Sequence, residues 1–282
     1  MPELPEVETI RRALEQVLPR KQITGIRVYY PRSFSGDPAA IIGKQITSIG
    51  RKGKILNIRL NSESYLNVHL KMSGQLLYAS SRESAEFPVV VPLEPSSTGL
   101  SRMPSRVTRV EIEFADGALL FFNDQRKFGW IRHATVAEGT DAPDVTGPAF
   151  TQEYFAEICA GTSRDIKTVL LDQSKIAGVG NVYANDALFT AGIRPDRSAD
   201  SLTGNEIRRL HRAVIETIQE GIARKGTSAT SIYVTPDGSK GSYQLIFRVY
   251  SREGQPCHIC GSPILRKKKG GRSNFWCPIC QH

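Results

Sequence analysis

Four cysteines near the end of the chain constrain its fold more than any other feature. They form the pattern C-x2-C-x16-C-x2-C at Cys257, Cys260, Cys277 and Cys280. Four thiolates at this spacing are typical of a tetrahedral zinc site in which the protein fills every coordination position. We therefore predict one structural zinc ion, which stabilises a tail too short to build its own hydrophobic core. The fifth cysteine, Cys159, is interpreted as a buried helix residue.

The segment between the two cysteine pairs is strongly basic. It runs from Arg266 to Arg272 and contains Gly270-Gly271, which predicts the turn of a hairpin. Residues 252–282 hold six basic side chains and one acidic side chain, and so carry more than half of the formal net charge of +9. Such a surplus favours a polyanionic partner. A solvated basic surface gives the same pattern, so charge alone leaves both interpretations open.

The composition is that of a globular protein. With 282 residues, of which 40% are hydrophobic, the chain can form one large or two modest domains. We find neither a long apolar span nor a secretory signal, so the sequence predicts a cytoplasmic protein without membrane contact. In a reducing compartment, five cysteines favour metal ligation or free thiols over disulfides.

The first half of the chain predicts a helix followed by short strands. Apolar residues recur at helical spacing from Val7 to Leu18, and Pro19 ends the helix. Turn signals then separate short β-type segments, which favours a β-sandwich or barrel. We predict these strands at residues 23–30, 46–49, 55–60, 65–70, 110–114 and 118–122, the last two forming a hairpin. Residues 79–106, rich in Ser, Pro and Arg, are predicted to be a long loop.

The second half of the chain has helical periodicity. Thr203 and Glu206 form a capping-box pattern, and apolar residues follow on one face from Ile207 to Ile222. Gly226 is predicted to cap the end of this helix. Residues 134–148, which precede this helical half, are rich in Gly, Pro, Thr and Asp, a composition typical of a linker. We therefore predict an N-terminal domain at 1–133, a linker at 134–149, a helical domain at 150–250 and a zinc finger at 251–282.

The N-terminal octet MPELPEVE carries reactive groups close together. If Met1 is removed, Pro2 presents a secondary amine that is also the α-amino group of the chain. An α-amino group titrates near ~8 and a lysine near ~10.4, so the terminal amine is far more often a free base at neutral pH. A free amine can attack a sugar aldehyde carbon, and Glu3 and Glu6 are candidate proton carriers. The plainer interpretation is a helix start with prolines and acids in its first turn.

Five further motifs accompany the octet along the chain. These are GRKGKIL around Lys54, VHLKMSG around His69, NDQRKFG around Arg126, AGVGNVYANDALF around Asn181, and the four-cysteine tail. Together with the octet, they resemble the bacterial formamidopyrimidine-DNA glycosylases, or Fpg proteins, over nearly the whole chain. The related endonuclease VIII-like enzymes typically have glycine where this chain has Leu4, which favours the purine-specific branch.

The resemblance implies an α+β multidomain fold and a DNA repair activity. The implied N-terminal domain is a β-sandwich that follows a leading helix. The implied C-terminal domain is helical, contains a helix–two-turns–helix motif at residues 165–195, and carries a zinc ribbon. The implied activity is excision of oxidised purines through an N-terminal proline Schiff base, followed by cleavage of the abasic site by β,δ-elimination. The implied catalytic residues are Pro2, Glu3, Glu6, Lys54 and Arg272. The partner is double-stranded DNA with oxidised bases, bound by a bacterial, nucleoid-associated monomer.

The resemblance also implies the DNA contacts. Met72, Arg126 and Phe128 match the residues that fill the void left by a flipped nucleotide, because an apolar wedge and a guanidinium can replace a base in the stack. The phosphate contacts match Lys54, His69, Lys167, Asn181 and Arg272. Residues 226–243 match a mobile loop that covers the lesion.

Two departures and two alternatives remain. A DNA-contacting histidine of the family is replaced within Arg106-Val107-Thr108-Arg109, so its contact is lost or moves to an arginine. The segment 79–106 is longer than expected. One alternative is an endonuclease VIII-like enzyme for oxidised pyrimidines, and the other is a non-catalytic zinc-containing DNA-binding protein. The Pro2-Glu3 pair argues against the second alternative.

Overall fold

The computed structural model describes residues 1–88, 100–229 and 233–282. It divides into two compact units, the first formed by Met1–Gly139 and Arg224–Ser242, the second by Thr140–Ala223 and Tyr243–His282. Residues 224–242 thus group with the N-terminal unit, although the predicted helical domain included them. The predicted boundaries at 133, 149 and 250 stay predictions.

The first unit is a β-sandwich with a leading helix, as predicted. Helix α1 spans Leu4–Glu15, and nine strands follow it in this unit's two main sheets. One sheet has the order β1-β9-β10-β6 and the other has the order β2-β11-β5-β4-β3. The bounds are β1 Ile23–Val28, β2 Phe34–Ser35, β3 Ile46–Lys52, β4 Ile55–Leu60, β5 Tyr65–His69, β6 Gly74–Ala79, β9 Thr108–Phe114, β10 Leu119–Asp124 and β11 Trp130–Ala134.

One hydrophobic core joins α1 to both sheets. Val7 and Ile10 of α1 are buried together with Val68 of the five-stranded sheet and Val110 of the four-stranded sheet. The helix begins at Leu4 because Glu3 and Glu6 form a capping box, in which each side chain accepts a hydrogen bond from the other's backbone N–H. Burial of one helix face therefore fixes the position of the N-terminal residues.

The prediction of an unbroken loop at 79–106 was wrong in part. Strand β7, Glu86–Pro88, pairs antiparallel with β8, Leu100–Arg102. Phe87 belongs to a small core cluster with Leu77 and Phe121, so burial of this side chain stabilises the β7–β8 strand pair. The polar residues around Phe87 in the sequence did not indicate this pair. Residues 89–99 lie outside the described part of the chain.

The second unit is helical and ends in a two-stranded ribbon. Its capping box is confirmed, because the Thr203 N–H donates to Glu206 Oε2 at 2.8 Å and the Glu206 N–H donates to Thr203 Oγ1 at 3.3 Å. Across the described ranges, no helix is long and apolar enough to cross a membrane. The bounds are α2 Gln152–Ala160, α3 Ile166–Leu170, α4 Asn181–Ala191, α5 Gly204–Ala223, β12 Leu265–Lys269 and β13 Arg272–Trp276.

Gly226 does not cap α5 as predicted. The helix ends at Ala223, and Lys225 is the first residue beyond it with a positive φ, 56°. Gly226 has a φ of 75°, and a Cβ added to it would lie 2.7 Å from Cγ of Glu6. The glycine therefore permits a close approach to α1.

Candidate functional site

The N-terminal octet places two carboxylates inside the first unit. Glu3 is 3% exposed and Glu6 is 1% exposed, and Pro2 is buried beside them. Glu6 Oε2 accepts a hydrogen bond from the Glu3 N–H at 2.8 Å, and its Oε1 accepts one from the Thr227 N–H at 2.9 Å. Glu6 therefore fixes the backbone of Glu3 and joins the octet to the segment that follows α5. This geometry suits an orienting role for Glu6.

A third carboxylate of the octet, Glu8, connects α1 to the turn before Lys54. Glu8 accepts hydrogen bonds from Arg11, Arg12 and Arg51, the last at 3.1 Å from Arg51 Nε. Burial would raise the pKa of Glu8, but the three arginines outweigh it and lower that pKa to about 2. Arg51 also donates to the carbonyl oxygen of Gly53 at 2.8 Å. Sequence reasoning missed this network, although Glu8 lies within the octet.

Lys54 and His69 lie at one end of the five-stranded sheet. His69 pairs with Ile55 on one side, next to Lys54, and with Trp130 on the other. Burial lowers the pKa of His69, and the charges of Lys71, Lys54 and Arg132 lower it further, to about 4. The Lys71 N–H donates to Nδ1 at 3.0 Å, so the neutral ring carries its proton on Nε2. A neutral N–H donor beside a lysine suits a phosphate contact.

Met72, Arg126 and Phe128 lie on two loops of the first unit. Met72 is 41% exposed and Phe128 is 55% exposed, which is unusual for large apolar side chains. The guanidinium carbon of Arg126 lies 5.0 Å from the centre of the Phe128 ring. These exposed apolar side chains beside a cation are accessible to a partner, and their void-filling role stays a prediction.

Asn181 begins α4 directly after a glycine turn. Its preceding residue, Gly180, has no side chain to cap the helix, and Gly178 has a φ of 101°. Gln173 holds this turn from within, because its amide donates to Val179 O at 2.8 Å and accepts from the Gly178 N–H at 3.0 Å. The arrangement directs the positive end of the α4 dipole at the turn, as phosphate-binding helices do. Sequence reasoning singled out Asn181 but not Gln173.

The four cysteines form a site that fits one zinc ion. Their sulfurs all lie within 4.8 Å of one another, with Cys257 and Cys280 at 3.8 Å and Cys260 and Cys277 at 3.4 Å. A tetrahedral zinc with Zn–S bonds of about 2.3 Å needs sulfurs about 3.8 Å apart. The N–H groups of Ile259 and Cys280 also point at ligand sulfurs, each at 3.4 Å, which stabilises thiolates. This geometry confirms the predicted structural zinc.

Cys159 is not part of the metal site. It is buried in α2, and burial raises the pKa of its thiol to about 12. A thiol held in this protonated form is a packing residue, as the sequence predicted.

The zinc ribbon exposes Arg272 at the start of β13. The turn before it is confirmed, because Gly270 and Gly271 have φ values of 56° and 75°. Lys167 holds β13 of the ribbon, because its Nζ donates to Ser273 O at 2.6 Å and to Asn274 Oδ1 at 2.8 Å. Lys167 is only 2% exposed, so we replace its predicted DNA contact with a supporting role for the strand that begins at Arg272.

The arginines that replace the family histidine have different environments. Arg109 is buried, and its Nε donates to Asp124 O at 2.8 Å. Its Nη1 donates to the carbonyl oxygen of Arg106 at 3.1 Å. Arg106 itself has an exposed side chain. Of this pair, Arg106 is therefore the residue whose side chain is exposed to solvent.

Three family models match the chain in the order of these sites. The formamidopyrimidine-DNA glycosylase N-terminal domain matches residues 1–131, its H2TH domain matches 142–232, and the zinc finger found in FPG and IleRS matches 254–282. The chain belongs to the formamidopyrimidine-DNA glycosylase family. It is a base-excision repair glycosylase that acts on damaged DNA, which leaves the non-catalytic alternative without support.

Relatives of known name span the whole chain. The formamidopyrimidine-DNA glycosylase of Pelotomaculum thermopropionicum is 39% identical and covers 100% of this chain and 99% of its own. The Lactococcus lactis Fpg in complex with abasic-site DNA has a TM-score of 0.83 at 30% identity, with both chains fully covered. A variant of that Fpg in complex with Fapy-dG DNA has a TM-score of 0.84 at 31% identity, again with full coverage of both.

Proposed function

We propose that this protein excises oxidised purines, namely 8-oxoguanine and formamidopyrimidines, from double-stranded DNA and then cleaves the abasic site. The observation that carries the proposal is the N-terminal octet, where Pro2, Glu3 and Glu6 are all buried. The Lactococcus lactis Fpg complex with Fapy-dG DNA supports formamidopyrimidines as substrates, and the complex with abasic-site DNA supports action at abasic sites. We further propose a monomer acting on the DNA of a bacterial cytoplasm.

The proposed reaction begins with the amine of Pro2, after removal of Met1. Its lone pair forms a bond to C1′ of the damaged nucleotide, and the bond from C1′ to the base breaks with its electrons on the base. The departing base takes up the proton that the amine loses. Glu3 then gives a proton to the ring oxygen O4′, the bond from C1′ to O4′ breaks, and the nitrogen lone pair forms the C1′=N bond, while Glu6 holds the backbone of Glu3 in place. The resulting iminium acidifies the C2′ proton, whose loss expels the 3′ phosphate, and a second elimination expels the 5′ phosphate.

The proposed DNA contacts fall into two classes. Lys54, His69, Asn181 and Arg272 contact phosphates, which position the duplex without reading its sequence. Lys54 and Arg272 also assist the chemistry at the lesion. The exposed side chains of Met72, Arg126 and Phe128 enter the stack where the damaged nucleotide has left it.

Borohydride trapping tests the proposed nucleophile. Borohydride reduces an imine to a stable amine, so the protein incubated with 8-oxoguanine duplex and borohydride should give a covalent protein–DNA adduct. Mass spectrometry should place that adduct on Pro2. A protein that retains Met1 has an amide nitrogen at Pro2, so it should bind DNA and trap nothing. An adduct on Lys54 of a protein with a free Pro2 would refute the mechanism.

A panel of lesions tests the proposed substrate. Duplexes with 8-oxoguanine or formamidopyrimidine should be nicked faster than a duplex with thymine glycol under single-turnover conditions. The opposite order would favour the alternative enzyme for oxidised pyrimidines. Glu3→Gln keeps the side-chain shape and removes the titrating group, so it should bind both purine lesions and cleave them poorly.

A further inference from the structure

We infer that Asp124 is a positioning residue that holds the two loops of the void-filling set at a fixed separation. The first loop, residues 70–73, carries Met72, and the second, residues 125–129, carries Arg126 and Phe128. We call them the wedge loops. This inference rests on the proposed role of Met72, Arg126 and Phe128 in filling the void in DNA.

The carboxylate of Asp124 collects hydrogen bonds from both wedge loops. Asp124 is the last residue of β10 and is 0% exposed. Its Oδ1 accepts from the hydroxyl of Ser73 on the first loop and from the Arg126 N–H on the second, at 3.1 Å. Its Oδ2 accepts from the Gly129 N–H at 2.6 Å. One buried side chain thus links loops that leave different strands of different sheets.

The anchored groups are immediate neighbours of the side chains that would enter DNA. Ser73 follows Met72, Gly129 follows Phe128, and the third donor is the backbone of Arg126 itself. The Ser73 hydroxyl also accepts from the Arg126 N–H at 2.9 Å, which joins the two loops directly. Each wedge side chain is therefore at most one residue away from a group held by Asp124.

The backbone around Asp124 leaves little freedom for the loops to move. A Cβ added to Gly129 would lie 2.8 Å from Cζ of Phe122 and 3.2 Å from Oδ2 of Asp124. Lys71 and Lys127, one in each wedge loop, have φ values of 51° and 59°. A residue other than glycine keeps a left-handed backbone conformation when the surrounding contacts hold it there. The main chain of Asp124 is also held, because its carbonyl accepts from Arg109 Nε.

The chemistry of a carboxylate explains why Asp124 is suited to this position. An ionised carboxylate only accepts hydrogen bonds, and here its two oxygens face three donors. An asparagine of the same shape would direct its NH2 group at one set of donors and lose those bonds. Inserting a wedge into a base stack already costs free energy for unstacking, and a loose wedge must also be ordered at that moment. Pre-ordered wedge loops avoid this second cost.

The inference predicts that a substitution at Asp124 changes the reaction rates on two substrates of the same active site to different extents. A lesion base in duplex DNA requires wedge insertion before the chemistry. An abasic site in a single-stranded oligonucleotide has no stack to enter, yet it reacts with the same amine. A residue that only maintains the fold affects both substrates alike, whereas a positioning residue of the wedge loops affects the duplex substrate selectively.

The test compares Asp124→Asn with the parent protein, each with its full chain and bound zinc, in single-turnover assays on both substrates. We expect about a tenfold or larger loss of rate on an 8-oxoguanine duplex, from the loss of one or two buried hydrogen bonds to a charge. The rate on the single-stranded abasic oligonucleotide should change by less than about threefold. Ser73→Ala removes only the hydroxyl that connects the wedge loops, so it should also slow the duplex substrate selectively, by a smaller factor. It replaces Asp124→Asn in the test if that variant does not fold.

A matched control separates positioning from stability. Glu111→Gln alters another buried carboxylate of the same sheet, 3% exposed and paired with Arg82 at 2.6 Å, away from the wedge loops. It should lower thermal stability and leave the ratio of the two rates unchanged. Equal losses on both substrates in Asp124→Asn and Ser73→Ala would overturn the inference. If Phe128→Ala slows cleavage of the lesion duplex but the Asp124 and Ser73 variants do not, the inference is overturned while the proposed function stands. A parent protein that cleaves neither substrate would overturn both.

Discussion

Gly226 offers a sharp test of how the octet is held in place. Gly226→Ala introduces a Cβ at 2.7 Å from both Cγ and Oε1 of Glu6 and at 3.0 Å from its Cδ. The carboxylate cannot turn away freely, because its oxygens accept from the N–H groups of Glu3 and Thr227 at 2.8 and 2.9 Å. Either Glu6 gives up one of these bonds or the backbone at 226 moves.

The cost has two parts that a second variant separates. An alanine at the φ of 75° costs roughly 1 kcal/mol for its left-handed backbone. A lost hydrogen bond to a charged group adds about 1.5–3 kcal/mol. Gly43 has a φ of 79°, and no described atom lies within 4 Å of a Cβ added there, so Gly43→Ala carries the first cost alone. We therefore expect Gly226→Ala to be less stable than Gly43→Ala by about 2 kcal/mol.

Thermal unfolding and single-turnover excision measure the two consequences. A difference of about 2 kcal/mol lowers Tm by roughly 4–8 °C for a domain of this size. Because Glu6 fixes the backbone of Glu3, excision by Gly226→Ala should also fall, whereas Gly43→Ala should excise at the parent rate. Equal Tm values together with equal excision rates in the two variants would refute the argument that Glu6 is held in place by this close approach.

Three further predictions concern the zinc, the ribbon and the helix start. Metal analysis should find one zinc per chain, and freshly purified, reduced protein without zinc would contradict this. Cys277→Ser should lose the zinc and DNA binding while the first unit remains folded. Arg272→Ala should weaken binding to damaged and undamaged duplexes alike and reduce the salt dependence of binding, whereas an unchanged salt slope would contradict a phosphate contact. The pKa of Glu8 is lowered from 4.5 to about 2, which corresponds to about 3.4 kcal/mol, and solvent screening at the exposed Arg12 reduces this to about 2–3 kcal/mol. The ionised form should therefore stabilise the folded state by that amount above pH 4.5, and this contribution is lost as the pH falls through 2. Urea unfolding should therefore show Glu8→Gln to be less stable than the parent at neutral pH, with a gap that narrows below pH 4.5; a constant gap would contradict the assignment.

The elements that local signals define were predictable from the sequence. The helical period from Val7 onward, the Thr203–Glu206 capping box and the Gly270-Gly271 turn all depend on residues a few positions apart, and all three are present. The zinc ligands were predictable for the same reason, because each Cys-x2-Cys pair is local and their combination allows few other interpretations.

The contacts between distant segments were not predictable in this way. Nothing in the sequence near Lys167 indicates that its amine is buried beneath β13, more than a hundred residues away. The burial of Arg109 and the role of Asp124 depend likewise on which strands become neighbours. The strand pair β7–β8 was missed because tertiary burial of Phe87, rather than its polar local sequence, stabilises it.

The hydrogen bond between Glu6 and Thr227 joins residues 221 positions apart, and it has a consequence for biosynthesis. The first unit is completed only by Arg224–Ser242, whose Tyr233 and Val234 enter its hydrophobic clusters. A ribosome delivers this segment after all of Thr140–Ala223 has been made. Until then the nascent N-terminal unit lacks both these apolar side chains and the partner that holds Glu6. A fragment that stops at Gly139 should therefore be a poor source of the isolated first unit, whereas joining Gly139 to Arg224 through a linker restores every segment that the unit contains.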